Sequence, residues 1–207
     1  MIGILNYKAG NTRSVENALK SIDVSFLISN KPEELNACDQ LIIPGVGMAK
    51  TAMEDLKNTG LDQFIISFKK PVLGICLGMQ LLANYSEEGN IKLLSRCDYQ
   101  VQKFKGNLPI PHMGWNAIEC HGESPLLSRT EDGTYFYFVH SYAAHPADPG
   151  HVAASARYGG ETIVAAVARE NVFGTQFHPE KSQGAGIRLL RDFVSRIAEA
   201  TGSPRDL

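Results

Sequence analysis

A cysteine with glycines two positions to either side, Gly74-Ile75-Cys76-Leu77-Gly78, is the stretch of this chain best suited to covalent chemistry. It follows the apolar run Pro71-Val72-Leu73, which reads as a buried strand, and leads into the helical run Met79-Gln80-Leu81-Leu82-Ala83. A strand that turns abruptly into a helix over Gly-x-Cys-x-Gly resembles a nucleophile elbow, in which the glycines allow a tight bend and the central side chain stays accessible. The sulfur then lies over the first helical turn, whose free N–H groups favour an anion. That is not sufficient alone. Making a thiolate the main form at neutral pH takes about 2 kcal/mol, whereas a helix N-terminus typically supplies ~0.3–1 kcal/mol. A second group is therefore expected, a histidine with a carboxylate to orient it. The plain alternative for Cys76 is a small buried hydrophobe.

Phe177-His178-Pro179-Glu180 supplies the missing pair. It follows an apolar strand, and open α/β sheets gather their ligands at the carboxyl ends of strands. The proline fixes the backbone between the two polar residues. Glu180 can then hold one ring nitrogen of His178 while the other faces a thiol. Taken alone, His-x-Glu is also compatible with a loop histidine beside a surface glutamate.

The elements that must bring these stretches together alternate. Ile2-Gly3-Ile4-Leu5, Val24–Ile28, Leu41-Ile42-Ile43 and Val72–Ile75 read as strands, with buried parallel character. Between them, Val15, Ala18, Leu19 and Ile22 fall on one helical face, Pro32-Glu33-Glu34-Leu35 starts a short helix, and Met53, Leu56, Leu61, Phe64 and Ile65 mark a helix broken near Gly60. This rhythm predicts an α/β fold, a mostly parallel central sheet with helices on both faces. From about Ile91 helical periodicity fades into an additional β-rich segment that includes Val101–Phe104, Trp115–Ile118 and Tyr135–Val139. Strands continue at 152–156, 163–167 and 172–177, a closing helix covers about 186–200, and the tail from Thr201 reads as frayed. No repeat or linker divides the chain, so one domain is expected over 1–207.

The chain has 207 residues, enough for a sizeable core, and a formal net charge of −2, which points away from nucleic-acid and anionic-membrane partners. Met1-Ile2-Gly3-Ile4 lacks the basic start of a signal peptide, and no run reaches membrane-spanning length. The four cysteines, Cys38, Cys76, Cys97 and Cys120, are widely spaced, and the histidines show no ligand spacing. A reducing, cytoplasmic setting without metal or cofactor is the expectation.

Gly74–Gln80 together with Gln176–Glu180 resembles the class I glutamine amidotransferases, with their Cys-His-Glu triad. Asn6–Asn11, Pro44-Gly45-Val46-Gly47, Pro111–Asn116, Tyr135–Tyr142 and Val172–Ser182 are, more narrowly, similar to the glutaminase subunits of imidazole glycerol phosphate synthases. The stretch Asn90–Cys97 departs from that pattern, in place of a glycine-leucine-glycine run. The resemblance implies a flavodoxin-like fold and hydrolysis of L-glutamine to glutamate and ammonia. Cys76 is then the nucleophile, His178 the base and Glu180 its orienting acid, and the backbone N–H groups of Val46 and Leu77 form the oxyanion hole. It further implies a glutamine pocket with Gly47, Gln80, Glu88, Ser141 and Tyr142. Asn11, Met113, Trp115 and Lys181 are implied to face a (β/α)8-barrel cyclase, which receives the ammonia and forms imidazole glycerol phosphate and an aminoimidazole carboxamide ribonucleotide. Two other readings stand beside this one: a paralogous glutaminase serving a sugar-modifying amidotransferase, and a non-catalytic binding subunit.

Overall fold

The computed structural model describes residues 1–105 and 109–200. Among the described residues, thirteen strands form two sheets. The larger contains β1 (Ile2–Leu5), β2 (Phe26–Ser29), β3 (Gln40–Ile43), β4 (Val72–Ile75), β8 (His112–Cys120), β9 (Tyr135–His140), β11 (Val152–Tyr158), β12 (Glu161–Arg169) and β13 (Val172–Thr175), in the order β2-β1-β3-β4-β13-β12-β11-β8-β9. The smaller contains β5 (Tyr85–Ser86), β6 (Ile91–Lys92), β7 (Tyr99–Lys103) and β10 (Tyr142–Pro146), in the order β10-β7-β5-β6. Strands β2 to β13 along the first half of the large sheet pair in parallel, and from β13 to β9 every pairing is antiparallel. The sheet is thus mixed rather than mostly parallel, because most of the β-rich second half extends the same sheet.

Alternation along the parallel strands sorts the core into two faces. Ile2, Ile4, Ile42, Leu73, Ile75 and Phe173 pack with Val15 and Leu19 of α1 (Thr12–Lys20) and with Leu189, Leu190 and Phe193 of α6 (Gln183–Ala200). Leu5, Leu41, Ile43 and Val72 pack on the other face with α2 (Pro32–Asn36), α3 (Ala49–Thr59), α4 (Leu61–Ser67) and α5 (Leu77–Leu81). Both faces being covered explains the continuous apolar runs read as strands. The break between α3 and α4 falls at Gly60, as its sequence position indicates.

Helix α5 differs from its expectation. It begins directly after Cys76 and closes at Leu81, because Leu82 and Ala83 turn back on the carbonyls of Met79 and Gln80 and Asn84 joins Tyr99 of the small sheet. The departing stretch 90–97 has a structural task. Arg96 donates through one guanidinium nitrogen to the carbonyls of Ile65, Ile66 and Phe68, satisfying the C-terminal end of α4. The tail from Thr201, expected to fray, lies outside the described residues. Among the described residues no helix is long and apolar enough to cross a membrane.

Candidate active site

Strands β4 and β13 are parallel neighbours with Ile75 opposite Thr175, so the residues that follow them emerge at one level of the sheet. Cys76 is the first residue past β4. Its backbone, at φ 52° and ψ −106°, occupies a region that residues with side chains rarely adopt. Such a conformation costs about 1–3 kcal/mol and persists only where its surroundings fix it. They do: Cys76 N–H donates to Thr175 O at 2.7 Å. The flanking glycines allow α5 to lie against the sheet. A side chain at Gly78 would collide with the Ile43 carbonyl, and a Cβ at Gly74 would fall 2.6 Å from Met79 N.

The chain leaves β13 after Thr175 and crosses towards β9. Gln176 N–H bonds the Ala165 carbonyl at 2.8 Å, and His178 N–H bonds the Tyr137 carbonyl at 2.9 Å. Phe177 stacks on Phe136 with ring centroids 4.1 Å apart. Ser182 Oγ accepts from Tyr137 N–H at 3.0 Å and donates to His178 O at 2.6 Å, closing the turn. Within it, His178 Nδ1 lies 2.7 Å from Glu180 Oε1, with both side chains almost wholly buried. A carboxylate accepts, so Nδ1 carries the proton and Nε2 is the basic atom. Nε2 is buried and makes no hydrogen bond with the protein. Burial weighs against an imidazolium here, but the nearby Cys76 sulfur and then the Glu180 carboxylate outweigh it, and His178 titrates well above its ordinary range.

Cys76 is 6% exposed, and its sulfur opens on a cavity of about 380 Å³. Val46, Gly47, Leu77, Gln80, Glu88, Ser141 and Tyr142, the pocket and oxyanion residues expected from sequence, all line it, joined by Pro111, Val139 and His140. Gln80 is buried, and its Nε2 donates to the Tyr142 carbonyl and to Gln176 Oε1, both at 3.1 Å. Glu88 Oε2 accepts from Ala49 N–H at 2.6 Å, the first residue of α3, where a carboxylate suits the helix end. Leu77 N–H stands in the first turn of α5, without an intrahelical acceptor. Val46 N–H is committed elsewhere: it donates to Ala9 O at 2.8 Å, while Tyr7 OH donates to Pro44 O at 2.8 Å. In this arrangement the turn at Tyr7–Gly10 pins the loop at 44–47, and Val46 N–H points away from use as an oxyanion donor.

Beside the site, Met113 and Trp115 are 63% and 46% exposed. Trp115 meets Tyr137 edge-on at 6.2 Å, and the Lys181 ammonium stands 5.9 Å over the same ring. Tyr137 in turn lies 6.5 Å from the His178 ring. Asn11, at the start of α1, donates to Ser14 Oγ at 3.2 Å. Among the described residues no group of three His, Cys, Asp or Glu could hold a metal ion.

Two features escaped the sequence reading. Gln176 Nε2 lies 3.7 Å from Cys76 Sγ. Its signal was available, since residues two apart at a strand end face the same way as His178. His112 and His140 pair across β8 and β9, with His112 Nδ1 and His140 Nε2 3.1 Å apart. That pairing depends on strand register, which separate histidines in a sequence do not reveal.

The model of the family "Glutamine amidotransferase class-I" matches residues 4–197. The imidazole glycerol phosphate synthase subunit HisH of Bacillus subtilis (strain 168) is 46% identical over 209 aligned positions, covering 96% of this chain and 98% of that protein. The HisH subunit of Methanocaldococcus jannaschii is 43% identical, covering 95% of this chain and 100% of that protein. A crystal structure of a glutamine amidotransferase from Thermotoga maritima shares the fold with a TM-score of 0.69 at 17% identity, over 96% of this chain and 97% of that one. With a cysteine on a strained strand-to-helix turn and a His–Glu pair in a turn strapped to Tyr137 of β9, this chain belongs to the class-I glutamine amidotransferases, in the branch of the HisH glutaminase subunits of imidazole glycerol phosphate synthase.

Proposed function

We propose that the chain hydrolyses L-glutamine through Cys76 and delivers the ammonia to a (β/α)8-barrel cyclase that forms imidazole glycerol phosphate and an aminoimidazole carboxamide ribonucleotide, in the cytoplasm. His178 Nε2 takes the thiol proton as the sulfur attacks the side-chain amide, gives it to the departing ammonia, and later activates water against the glutamyl thioester. Glu180 holds the ring in the required tautomer and stabilises its charged form. Leu77 N–H receives the oxyanion. Val46 N–H joins it once the loop peptide turns away from Ala9, and a donor of this kind is worth about 2.7–4 kcal/mol in the transition state. Gly47, Gln80, Glu88, Ser141 and Tyr142 hold the amino-acid end of glutamine. Asn11, Met113, Trp115 and Lys181 meet the cyclase.

The observation that supports this reading most is the junction of β4 and β13, where Ile75 and Thr175 are in register, Cys76 presents its sulfur to the cavity, and the buried, carboxylate-backed imidazole of His178 stands close to that sulfur. Glutamate release by the chain alone, with the cyclase, and with cyclase plus acceptor nucleotide tests it. Low turnover alone and a rise of at least about 100-fold in the liganded complex are expected, as one recruited oxyanion donor supplies. Equal rates in all three states contradict the switch at Val46.

A further inference from the structure

We propose that Gln176 is a positioning residue for the nucleophile: its side-chain amide donates a hydrogen bond to the Cys76 sulfur and favours the thiolate, and Gln80 locks that amide in the one orientation that can do so. The inference rests on the reading of Cys76 as the nucleophile.

Gln176 is fully buried, and both ends of its amide are engaged. Its Oε1 accepts from Gln80 Nε2 at 3.1 Å, which leaves the NH₂ group to face Sγ at 3.7 Å. The direction of Gln80 is fixed in turn. The same Nε2 donates to the Tyr142 carbonyl at 3.1 Å, and a carbonyl can only accept. The Tyr142 carbonyl also accepts from His140 Nδ1–H at 2.8 Å, which makes His140 Nε2 an acceptor for His112 Nδ1–H at 3.1 Å. His112 Nε2 then accepts from Asn116 Nδ2 at 3.3 Å, and the same Asn116 nitrogen donates to Arg157 O at 2.9 Å. From Asn116 to the sulfur there is one consistent arrangement of protons. Burial keeps both histidines neutral, which preserves it.

A second contact of the sulfur shows why a donor is needed. The thiol donates to the Val139 carbonyl at 3.8 Å. Once the proton has gone to His178, the negative sulfur faces that oxygen's lone pairs. The Gln176 N–H group is the neutral side-chain donor that offsets this contact, and hydrogen bonds to a charged partner are stronger than those to a neutral one. Lining a glutamine pocket would require Gln80 to face the cavity but would not require its bond to Gln176.

The test is alkylation of Cys76 by iodoacetamide in the full chain across about pH 5 to 10, where thiolate sets the rate. Peptide mass spectrometry separates Cys76 from Cys38, Cys97 and Cys120. Gln176→Met should move the midpoint of the profile up by about 0.5–1 pH unit, lower kcat for glutamine roughly three- to tenfold in the partner complex, and leave KM within about twofold. Gln80→Met, which frees the Gln176 amide to turn over, should shift the midpoint in the same direction by less. A folded Gln176→Met chain with the wild-type midpoint overturns the proposal, even with lowered thermal stability, since a packing role predicts that pattern. If Gln176→Met does not fold, an unmoved midpoint in Gln80→Met overturns it. Failure of the underlying reading looks different: Cys76 of the unaltered chain would then show no thiolate-dependent alkylation in this range.

Discussion

A histidine whose Nδ1–H is held by a buried carboxylate has one nitrogen left for chemistry, and here that atom is His178 Nε2. Replacing Glu180 by glutamine keeps the shape but lets an NH₂ group face Nδ1, which selects the wrong tautomer. Glu180→Gln should lower kcat for glutamine hydrolysis by about 10²–10⁴-fold with little change in KM, read from steady-state glutamate release in the partner complex. A drop of less than about tenfold would remove Glu180 from its proposed orienting role. The three side chains of this group were legible from residue type, spacing and flanking glycine and proline. Gln176 was not singled out, because a buried amide acquires meaning only from which of its two ends meets which neighbour. The same holds for Gln80 and Glu88, whose place at the pocket came from resemblance and whose partners, Tyr142, Gln176 and Ala49, came from the structure.

At the scale of elements, β4 and α5 form the elbow only because their closest approaches to neighbouring backbone lack side chains. Gly78→Ala places a methyl group against the Ile43 carbonyl, and α5 must shift away from β3. Such overpacking should cost about 3 kcal/mol or more and displace Cys76 from the cavity. Urea unfolding of Gly78→Ala should show this loss, and a variant with wild-type stability would contradict the packing account. The strands of the parallel half were readable because burial on both faces makes them continuous apolar runs. The two-residue strands Tyr85–Ser86 and Ile91–Lys92 carry too little pattern to be seen. The bond from Val46 to Ala9 was equally hidden, since loop-to-loop contacts leave no periodic trace.

For the molecule as a whole, the buried histidine pair links stability to pH. Burial holds His112 down to about 4 and His140 down to about 3, against 6.5 for free imidazole. Between these limits the unfolded chain binds more protons than the folded one, so stability falls as pH drops below the unfolded value and is unaffected by this pair above it. The combined loss down to about pH 4 amounts to several kcal/mol, at ~1.4 kcal/mol for each pH unit and group. Urea unfolding at about pH 7.5 and pH 5 should reveal it. His140→Gln, which can still donate to Tyr142 O and accept from His112, should remove about half of the dependence. An unchanged slope would place the acid sensitivity elsewhere. Sequence anticipated the α/β class but read the second half as an addition to a parallel sheet. Antiparallel continuation from β13 to β9 depends on long-range pairing that local pattern does not encode.

The claim on which the rest depends is that the sulfur of Cys76 breaks the amide bond of glutamine. Glutamate release by Cys76→Ala assembled with its partner tests it most directly. A loss of at least about 10³-fold with assembly intact is the expected result, in keeping with removal of a nucleophile. Turnover at the wild-type rate would show that the chemistry belongs to another group.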